Sequence, residues 1–319
     1  MLLDAPSLYF RAFHGVPLSV TAPDGTPVNA VRGLLDALAA LVRGYHPDRL
    51  VACFDADWRP AFRVAALPSY KAHRLGPGGG EQVPPALVPQ VPVIEAALDA
   101  LGVARVGVAG FEADDVIGTL AARARGPVDV VTGDRDLFQV VRADGPVRVL
   151  YTAKGVGRAE VVDEVEITRR YGIPGRAYAD FALLRGDPSD GLPGVPGVGE
   201  KTAAALVSRF GGLAGLLAAL DRNDDDGFPA GSRTRLRAAR GYLAAAPPVV
   251  RVATDVPVPA YDDALPTAPR DPERLVALCD RWGLDGPLNR VLAALHGESD
   301  RGESDRGRSD RERRGADPV

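Results

Sequence analysis

The chain is short of the residues from which thiol and imidazole sites are built. It has two cysteines, four histidines and one methionine among 319 residues. Cys53 and Cys279 lie far apart without metal-ligand spacing, and the histidines are scattered, so the sequence offers neither a zinc pattern nor a disulfide framework. We expect both cysteines to be free thiols in a reducing cytosol.

Long apolar runs and an excess of positive charge are also missing. The chain opens Met-Leu-Leu-Asp and contains no run of the length of a signal peptide or a membrane span, so we expect a cytoplasmic protein. Its net charge of −4 does not exclude nucleic acid, because a local cluster of bases matters more than the sum. The length and the 46% apolar content predict two folded units.

Carboxylates are grouped in the segment Gly110–Gln139. Some lie at the start of an apolar-periodic helix and the others directly follow the strand-like run Val128–Val131. The members of this group are Glu112, Asp114, Asp115, Asp134 and Asp136. Such groups raise each other's pKa unless a cation lies among them, and carboxylates suit Mg²⁺ or Mn²⁺. The alternative is that Glu112 serves a helix dipole and Asp136 caps the next helix.

Four more acids fit the same interpretation. Asp4 and Asp55 follow predicted strands just as Asp134 does, and the carboxyl ends of parallel strands meet in one crevice. Asp187 and Asp190 add a pair spaced i, i+3 further along the chain. The acids of Gly110–Gln139 and those that follow the strands therefore predict a divalent-metal site at one edge of a sheet.

Strand-like and helix-like segments alternate, which predicts an α/β fold with a mainly parallel sheet flanked by helices. The predicted strands are Met1–Leu3, Arg49–Phe54, Val103–Val108, Val128–Val131 and Val147–Tyr151. The predicted helices are Ser7–Phe13, Pro27–Tyr45, Val83–Leu101, Glu112–Arg125, Val161–Tyr171, Ala203–Phe210, Arg233–Leu243, and one or two within Pro272–Leu295. The Pro-rich segment Pro247–Pro269 is expected to be extended.

Bases and aromatic residues alternate after the second predicted strand. The stretch from Arg59 to Arg74 contains no acid, and its aromatic residues are Phe62 and Tyr70. Bases suit phosphate oxygens and aromatic rings suit base stacking, as in proteins that bind single strands. The alternative is a solvated basic face whose aromatic residues belong to the core.

A glycine-rich turn precedes the predicted helix Ala203–Phe210. Gly194, Gly197 and Gly199 let the backbone approach a ligand, and N–H groups at a helix start form a phosphate site. Lys201 adds positive charge in the first turn. The alternative is an ordinary connection between two helices.

Taken together, these segments resemble the 5′–3′ exonuclease and flap-endonuclease family, in particular the stand-alone form of the exonuclease domain of bacterial DNA polymerase I. The resemblance runs from residue 1 to about residue 295. The segments that carry it are MLLD and RAF, the FD after the second strand, YKAHR, GFEADDVIGTLA, VTGDRDLFQ and GDPSDGLPGVPGVGEKTAA, in the family's order.

The resemblance implies a division of the chain. A PIN-like (resolvase-like) catalytic domain is expected over residues 1–172, with a basic helical arch at about 56–95. A helix–three-turn–helix subdomain of the helix-hairpin-helix type, with packing helices, is expected over residues 173–295. Residues 296–319 form a near-repeat of Glu-Ser-Asp-Arg-Gly, whose composition predicts disorder.

The resemblance also implies roles for individual residues. The first metal site matches Asp4, Asp55, Glu112, Asp114 and Asp115, and the second matches Asp134, Asp136, Asp187 and Asp190. The arch, through which a free 5′ end threads, matches Tyr70, Lys71 and Arg74, with Arg59 and Arg63 ahead of them. The duplex-gripping element, which in relatives holds K⁺, matches Gly194, Gly197, Gly199, Lys201 and Thr202.

The expected chemistry is hydrolysis of DNA. Two divalent ions about 3.5–4 Å apart activate water, hold the scissile phosphate and stabilise the leaving oxygen. Lys71 and Arg74 are placed to neutralise charge on that phosphate, and no serine, cysteine or histidine is a candidate nucleophile. We therefore expect a monomeric 5′–3′ exonuclease or flap endonuclease in replication (RNA primer removal) and repair, acting on 5′ flaps, nicks or free ends.

Three function classes remain open at this point. The first is the nuclease, which is expected in the cytoplasm with the nucleoid, with a polymerase supplied by another protein. A second possibility is a catalytically inactive, structure-specific DNA-binding protein that relies on the glycine-rich element. A third is a PIN-type ribonuclease, which shares the acidic sheet.

Overall fold

A computed structural model describes residues 1–222 and 227–297 of the chain. The tail predicted to be disordered lies outside the described residues from position 298 onward. The strands are β1 (Leu2–Asp4), β2 (Val51–Cys53), β3 (Ala104–Val106), β4 (Val128–Thr132), β5 (Val147–Tyr151) and β6 (Glu160–Val162).

The helices of residues 1–172 are α1 (Ala5–Gly15), α2 (Asn29–Tyr45), α3 (Ala61–Ala66), α4 (Gln90–Leu101), α5 (Ala113–Arg123) and α6 (Glu164–Tyr171). The later helices are α7 (Tyr178–Arg185), α8 (Glu200–Phe210), α9 (Leu213–Asp221), α10 (Ser232–Ala238), α11 (Arg240–Ala245), α12 (Pro247–Val250), α13 (Pro272–Trp282) and α14 (Asp285–Leu295). Short 3₁₀ turns connect several of them.

The strands form one sheet in the order β3-β2-β1-β4-β5-β6. All neighbouring pairs are parallel except β5 and β6, which are antiparallel. The predicted α/β class with a mainly parallel sheet is confirmed. Because β1 lies between β2 and β4, the residues that follow these three strands come out side by side.

The sheet is covered on both faces, as buried parallel strands require. Leu2, Val51 and Val130 point into a core shared with α5 and α7, and Leu3 and Ala52 point into the opposite core. The second core contains α1, α2 and α4, and the last two helices return to it. Helix α14 lies along α2 and α13 lies on α4, so the end of the described chain packs on the first unit.

Several predicted elements differ in extent from those of the structure. The helix predicted over Val83–Leu101, for example, begins only at Gln90 as α4. The sequence predicted a helix over Val161–Tyr171, but Val162 is buried and paired with β5 while Val161 is exposed, which is the alternation of a strand. Helix α6 begins only after Asp163, whose side chain accepts a hydrogen bond from the Glu166 amide. The predicted helix Arg233–Leu243 divides at Ala239 into α10 and α11, and the predicted extended segment begins with α12.

Helix α1 begins directly after β1, two residues earlier than predicted. The Asp4 side chain accepts a hydrogen bond from the Ser7 amide at 3.1 Å, and Pro6 occupies the first turn, where no amide is needed. The same aspartate therefore ends the central strand and caps a helix.

A sharp bend separates α8 from α9 at Gly211 and Gly212. In the part of the chain that the structure describes, no single helix has the length and apolar character to cross a membrane. Helices α8 and α9 reach that length only when taken together, across a bend of 79°.

A segment of the second unit lies across α5 at Gly118. A Cβ atom at Gly118 would lie 2.6 Å from the Val252 Cγ2 atom and 2.8 Å from the Ala253 carbonyl oxygen. The Ala253 carbonyl also accepts a hydrogen bond from the Thr119 hydroxyl at 3.2 Å. Glycine is therefore needed in this helix for a close approach of backbone.

Replacing Gly118 by alanine should destabilise the protein. We expect a loss of about 1–2 kcal/mol in the free energy of unfolding, because overpacking against a backbone carbonyl outweighs the better helix propensity of alanine. Urea unfolding of Gly118→Ala and Gly126→Ala measures this, since Gly126 has no heavy atom within 4 Å of its Cβ position. Equal midpoints for the two variants would contradict the close packing.

Candidate active site

Three aspartates come together at the carboxyl edge of the sheet. Asp4 ends β1, and Asp55 and Asp134 follow the neighbouring strands β2 and β4. Asp4 is 4% exposed, and its second oxygen accepts a hydrogen bond from the Thr132 hydroxyl at 2.5 Å. Burial, with further contributions from the charges of Asp55 and Asp134, raises the pKa of Asp4 to about 7.

The start of α5 adds carboxylates to this group. Asp55 accepts a hydrogen bond from the Ala113 amide at 2.7 Å, which holds the end of β2 against the helix. Burial raises the pKa of Asp114 well above its ordinary value, and the charges of Asp4, Asp134 and Glu112 raise it further. These carboxylates are thus close enough to disfavour each other's ionisation.

The second predicted set also comes together. Burial raises the pKa of Asp136, and the charges of Asp134, Asp190 and Asp187 add to the increase. Asp134 accepts a hydrogen bond from the Asp136 amide at 2.8 Å, and Asp187 accepts one from the Ser189 amide at 2.8 Å. Each loop therefore fixes one of its own carboxylates.

The YKAHR segment docks on the turn that carries Asp187 and Asp190. The Lys71 amide donates to the Asp190 carbonyl at 2.9 Å, and the Arg74 guanidinium donates to the Asp190 carboxylate at 2.8 Å. Gly191 has φ +71°, and a Cβ atom there would lie 2.3 Å from the Ser69 carbonyl oxygen. The glycine allows this close approach, which brings two cationic side chains to the acidic edge.

Lys71 and Tyr70 both reach Glu112. The Tyr70 hydroxyl donates to one Glu112 oxygen at 2.7 Å, and the Lys71 ammonium donates to the other. Burial acts to lower the pKa of Lys71, but the charge and hydrogen bond of Glu112, together with Tyr70 and the charge of Asp190, outweigh burial and raise that pKa well above its ordinary value. Lys71 is therefore a charged group placed directly beside the carboxylates.

Two predicted site residues have other positions than the resemblance implied. Arg63 is 2% exposed and its guanidinium binds Glu112 and Asp115, so its position does not support the predicted contact with DNA. Asp115 is fully buried and paired with Arg63, and its position does not support direct metal coordination. Both were assigned from motif position, which carries no information about burial.

The carboxylates carry more negative charge than the neighbouring side chains compensate. Within the described part of the chain, the nine acids of the predicted sets form ion pairs with four cationic side chains, namely Arg63, Lys71, Arg74 and Arg185. As the side chains stand, no group of three or more His, Cys, Asp or Glu residues among positions 1–222 and 227–297 is arranged to hold a metal ion. The excess charge and the all-oxygen donor set nevertheless fit hard divalent cations.

The predicted arch has little helix in the structure. Between residues 56 and 89 it contains α3 and the 3₁₀ turn Ala72–Arg74, and the rest is irregular. Arg59 is half-buried and donates to the carbonyl oxygens of Tyr70 and Pro68 at 2.5 and 2.8 Å. Arg59 thus closes the loop that precedes the YKAHR segment.

The predicted glycine-rich element surrounds the start of α8. Gly197, Gly199 and Lys201 are exposed, and Thr202 is half-buried. Gly194 is buried, and a Cβ atom there would lie 2.6 Å from the backbone of Arg185 and Gly186. Its close approach is therefore to the protein itself, not to a ligand.

Thr132, which shapes the site, was missed from the sequence, and Arg235 was noted only as part of a basic helix near the glycine-rich turn. The Thr132 hydroxyl donates a hydrogen bond to Asp4, and its oxygen accepts one from the Asp134 amide at 2.9 Å. The Arg235 guanidinium donates to the Gly197 carbonyl at 2.9 Å. Thr132 directly precedes the GDRD turn and could have been found from that position, whereas Arg235 is one of several similar arginines.

A large cavity lies at the other end of the sheet. It has a volume of about 1020 Å³ and is lined by residues at the amino ends of the strands, including Leu2 and Val128. We place the active site at the acidic edge instead, because the titratable groups with strongly raised pKa values cluster there.

Asp4 makes the stability of the metal-free protein depend on pH. Its pKa rises from 3.8 to about 7 on folding, so its stabilising contribution is complete below pH 3.8 and is lost as the pH rises through 7. Asp4→Asn should therefore be more stable than the wild type at pH 8 in EDTA, by about 2–4 kcal/mol, and the difference should vanish near pH 4. Urea unfolding at both pH values measures this.

The control is Asp99→Asn, which removes an exposed carboxylate paired with Arg105 at the surface. This variant should show no such pH-dependent gain. An Asp4→Asn protein that is less stable than the wild type at pH 8 would contradict the crowding of charge around Asp4.

Two family models together match most of the chain. The 5′–3′ exonuclease N-terminal resolvase-like domain matches residues 1–172, and the 5′–3′ exonuclease C-terminal SAM fold matches residues 173–273. A Streptomyces coelicolor protein named 5′–3′ exonuclease is 63% identical over 300 residues, which are 92% of this chain and 99% of that protein.

Two further likenesses concern a longer protein and a solved structure. DNA polymerase I of Mycobacterium bovis is 38% identical over 284 residues, which are 88% of this chain and 30% of the polymerase. The bacteriophage T5 D15 flap endonuclease, solved in a complex with DNA and metal ions, matches with a TM-score of 0.58 and 16% identity, over 92% of this chain and 97% of that chain. The structural likeness is one of fold, but the family models and the sequence identities confirm the predicted resemblance: the chain belongs to the 5′–3′ exonuclease family.

Proposed function

We propose that the protein is a divalent-metal-dependent 5′–3′ exonuclease and flap endonuclease that hydrolyses phosphodiester bonds of DNA. The observation that carries this proposal is the convergence of the acidic edge with the cationic YKAHR segment. The Asp190 carboxylate contacts Arg74 at 2.8 Å, and Glu112 contacts Lys71. A phosphate would find there both hard-metal ligands and positive side chains.

The residues that would hold the ions fall into two sets. The first set is Asp4, Asp55, Glu112 and Asp114, and the second is Asp134, Asp136, Asp187 and Asp190. When bound, such ions supply Lewis-acid stabilisation of the scissile phosphate and lower the pKa of water. Mg²⁺ is the proposed ion and Mn²⁺ an acceptable substitute, because both prefer carboxylate oxygens.

Side chains of the protein supply the remaining functions. Lys71 and Arg74 are held beside the carboxylates and would neutralise charge that develops on the phosphate. Tyr70 fixes Glu112 through its hydroxyl. The Ser189 hydroxyl is engaged with Asp187 at 2.5 Å, and no histidine belongs to either acidic set among the described residues. Water is therefore the proposed attacking group.

The proposed substrate is DNA with a 5′ flap, a nick or a free 5′ end, including RNA–DNA primers. The exposed Gly197, Gly199 and Lys201 at the start of α8 would contact the duplex backbone, where N–H groups and positive charge favour phosphate. A potassium ion at this turn is part of the proposal. Binding should weaken steeply with salt, since neutralisation of phosphates supplies most of the affinity.

The cellular role is proposed from the relatives. We propose that this nuclease acts during replication and repair together with a polymerase supplied by another protein, which fills the gaps. We propose that the protein acts as a monomer in the cytoplasm with the nucleoid.

Asp134→Asn should bind DNA but cleave it at least about 100-fold more slowly, because the variant loses a carboxylate at the reacting phosphate. The measurement uses a 5′-labelled flap substrate and a matching blunt duplex, each with Mg²⁺ and with EDTA. Asp129→Asn is the matched control, because Asp129 is on the same strand β4 but forms a surface pair with Arg148. The control should cleave at the wild-type rate.

The outcomes separate the competing functions. Mg²⁺-dependent release of short 5′ products, lost in Asp134→Asn, supports the nuclease. Binding without cleavage under every metal tested would favour an inactive DNA-binding protein. Cleavage of RNA alone would favour a PIN-type ribonuclease.

A further inference from the structure

Arg63 is buried at the junction of three separate parts of the chain. It belongs to α3, and its side chain is 3% exposed. The guanidinium donates to Glu112 at 2.6 Å and to both oxygens of Asp115 at 2.7 Å. Its Nε atom donates to the Val249 carbonyl at 3.1 Å. Arg63 thus joins α3, the start of α5 and α12.

These contacts leave Asp115 without a free oxygen. One oxygen accepts from Arg63 and from the Ala253 amide at 2.8 Å, and the other accepts from Arg63 and from the Glu112 amide at 3.2 Å. A carboxylate held by four donors is a poor ligand for an incoming ion. Its contacts instead orient the guanidinium of Arg63.

The two carboxylate oxygens of Glu112 consequently have different hydrogen-bond partners. The Oε2 atom accepts hydrogen bonds from Arg63 and Tyr70 at 2.6 and 2.7 Å, within the buried interior. The Oε1 atom contacts the ammonium group of Lys71, which is half-buried at the acidic edge. A carboxylate fixed on one oxygen presents the other in a defined direction, as outer partners do for ligands of metals.

The second unit takes part in this arrangement. Segment 249–253 supplies the Val249 carbonyl to Arg63 and the Ala253 amide to Asp115, and Val252 is anchored by its amide on Gln139 at 3.0 Å. The same segment lies against Gly118 on α5. A displacement of this segment would therefore be transmitted to Glu112 through one guanidinium.

We propose that Arg63 is a positioning residue, which with Asp115 fixes the Glu112 carboxylate so that its Oε1 atom faces the metal site. This inference rests on the proposed function, because it takes Glu112 as a ligand. Asp115, which the resemblance implied to be a metal ligand, is here assigned to the support of a ligand. Arg63, which the resemblance implied to be a DNA contact, is assigned to the interior.

The test compares Arg63→Gln and Arg63→Lys with the wild type. Mn²⁺ binding without DNA is measured by electron paramagnetic resonance, and cleavage of the flap substrate is measured at saturating metal. Arg63→Gln should weaken the binding of one Mn²⁺ ion about 10- to 100-fold, the effect of losing an outer partner of a ligand. Arg63→Lys should not restore it, because an ammonium group cannot serve two carboxylates as a planar fork does.

Arg142→Gln is the matched control. Like Arg63, Arg142 donates to backbone carbonyl oxygens, in its case those of Gly145 and Ala121 at 3.1 and 2.7 Å. It does so from a half-buried position, and it contacts neither acidic set. Its variant should bind Mn²⁺ as the wild type does. If Arg63→Gln does not fold, Asp115→Asn tests the inference in its place. Asparagine keeps the shape of the aspartate side chain but weakens the paired hydrogen bonds with the Arg63 guanidinium, so this variant should show the same loss of Mn²⁺ affinity.

Wild-type Mn²⁺ affinity in folded Arg63→Gln or Asp115→Asn, or its full recovery in Arg63→Lys, would overturn the inference. Glu112→Gln distinguishes this from failure of the proposed function. If Glu112→Gln loses an ion while Arg63→Gln does not, only the positioning role fails. If Glu112→Gln binds Mn²⁺ and cleaves normally, the assignment of Glu112 as a ligand fails, and the positioning role falls with it.

Discussion

Mutual repulsion among carboxylates is the constraint that the rest of the structure has to satisfy. Burial and neighbouring charge raise the pKa values of Asp4, Asp114 and Asp136. A fold that assembles such groups gives up stability that a core of apolar residues would have provided. Backbone amides, the Thr132 hydroxyl and a few cations offset part of the cost. The remainder is the reason why we propose divalent ions at this edge.

The neutralising groups come from segments remote in sequence, and this makes the site a product of both units. Arg74 reaches Asp190 across more than a hundred residues, and Arg63 reaches the backbone of α12 at Val249. The close backbone contact at Gly191 and the crossing at Gly118 are what bring these segments together. The geometry of the acidic edge therefore depends on how the segment of residues 249–253 packs against α3 and α5.

The features that could be predicted from the sequence are those that depend on the local pattern of residues. The alternation of strands and helices, and an aspartate after each of β1, β2 and β4, were sufficient to place the acids at one edge. The sequence did not reveal which acids are saturated by hydrogen bonds, because Asp115 differs from Asp114 only in the direction of its side chain. Edge strand β6 was missed because its two valines precede a helix directly and share that helix's apolar pattern.

The most direct test of the central claim is anomalous X-ray diffraction from crystals of the protein grown with Mn²⁺. We expect two anomalous peaks at the carboxyl edge of the sheet, one beside the Asp4 and Glu112 side chains and one beside Asp134 and Asp136. Well-ordered carboxylates without a peak at this edge, in crystals that show Mn²⁺ elsewhere, would contradict the claim that the acidic cluster is a metal centre.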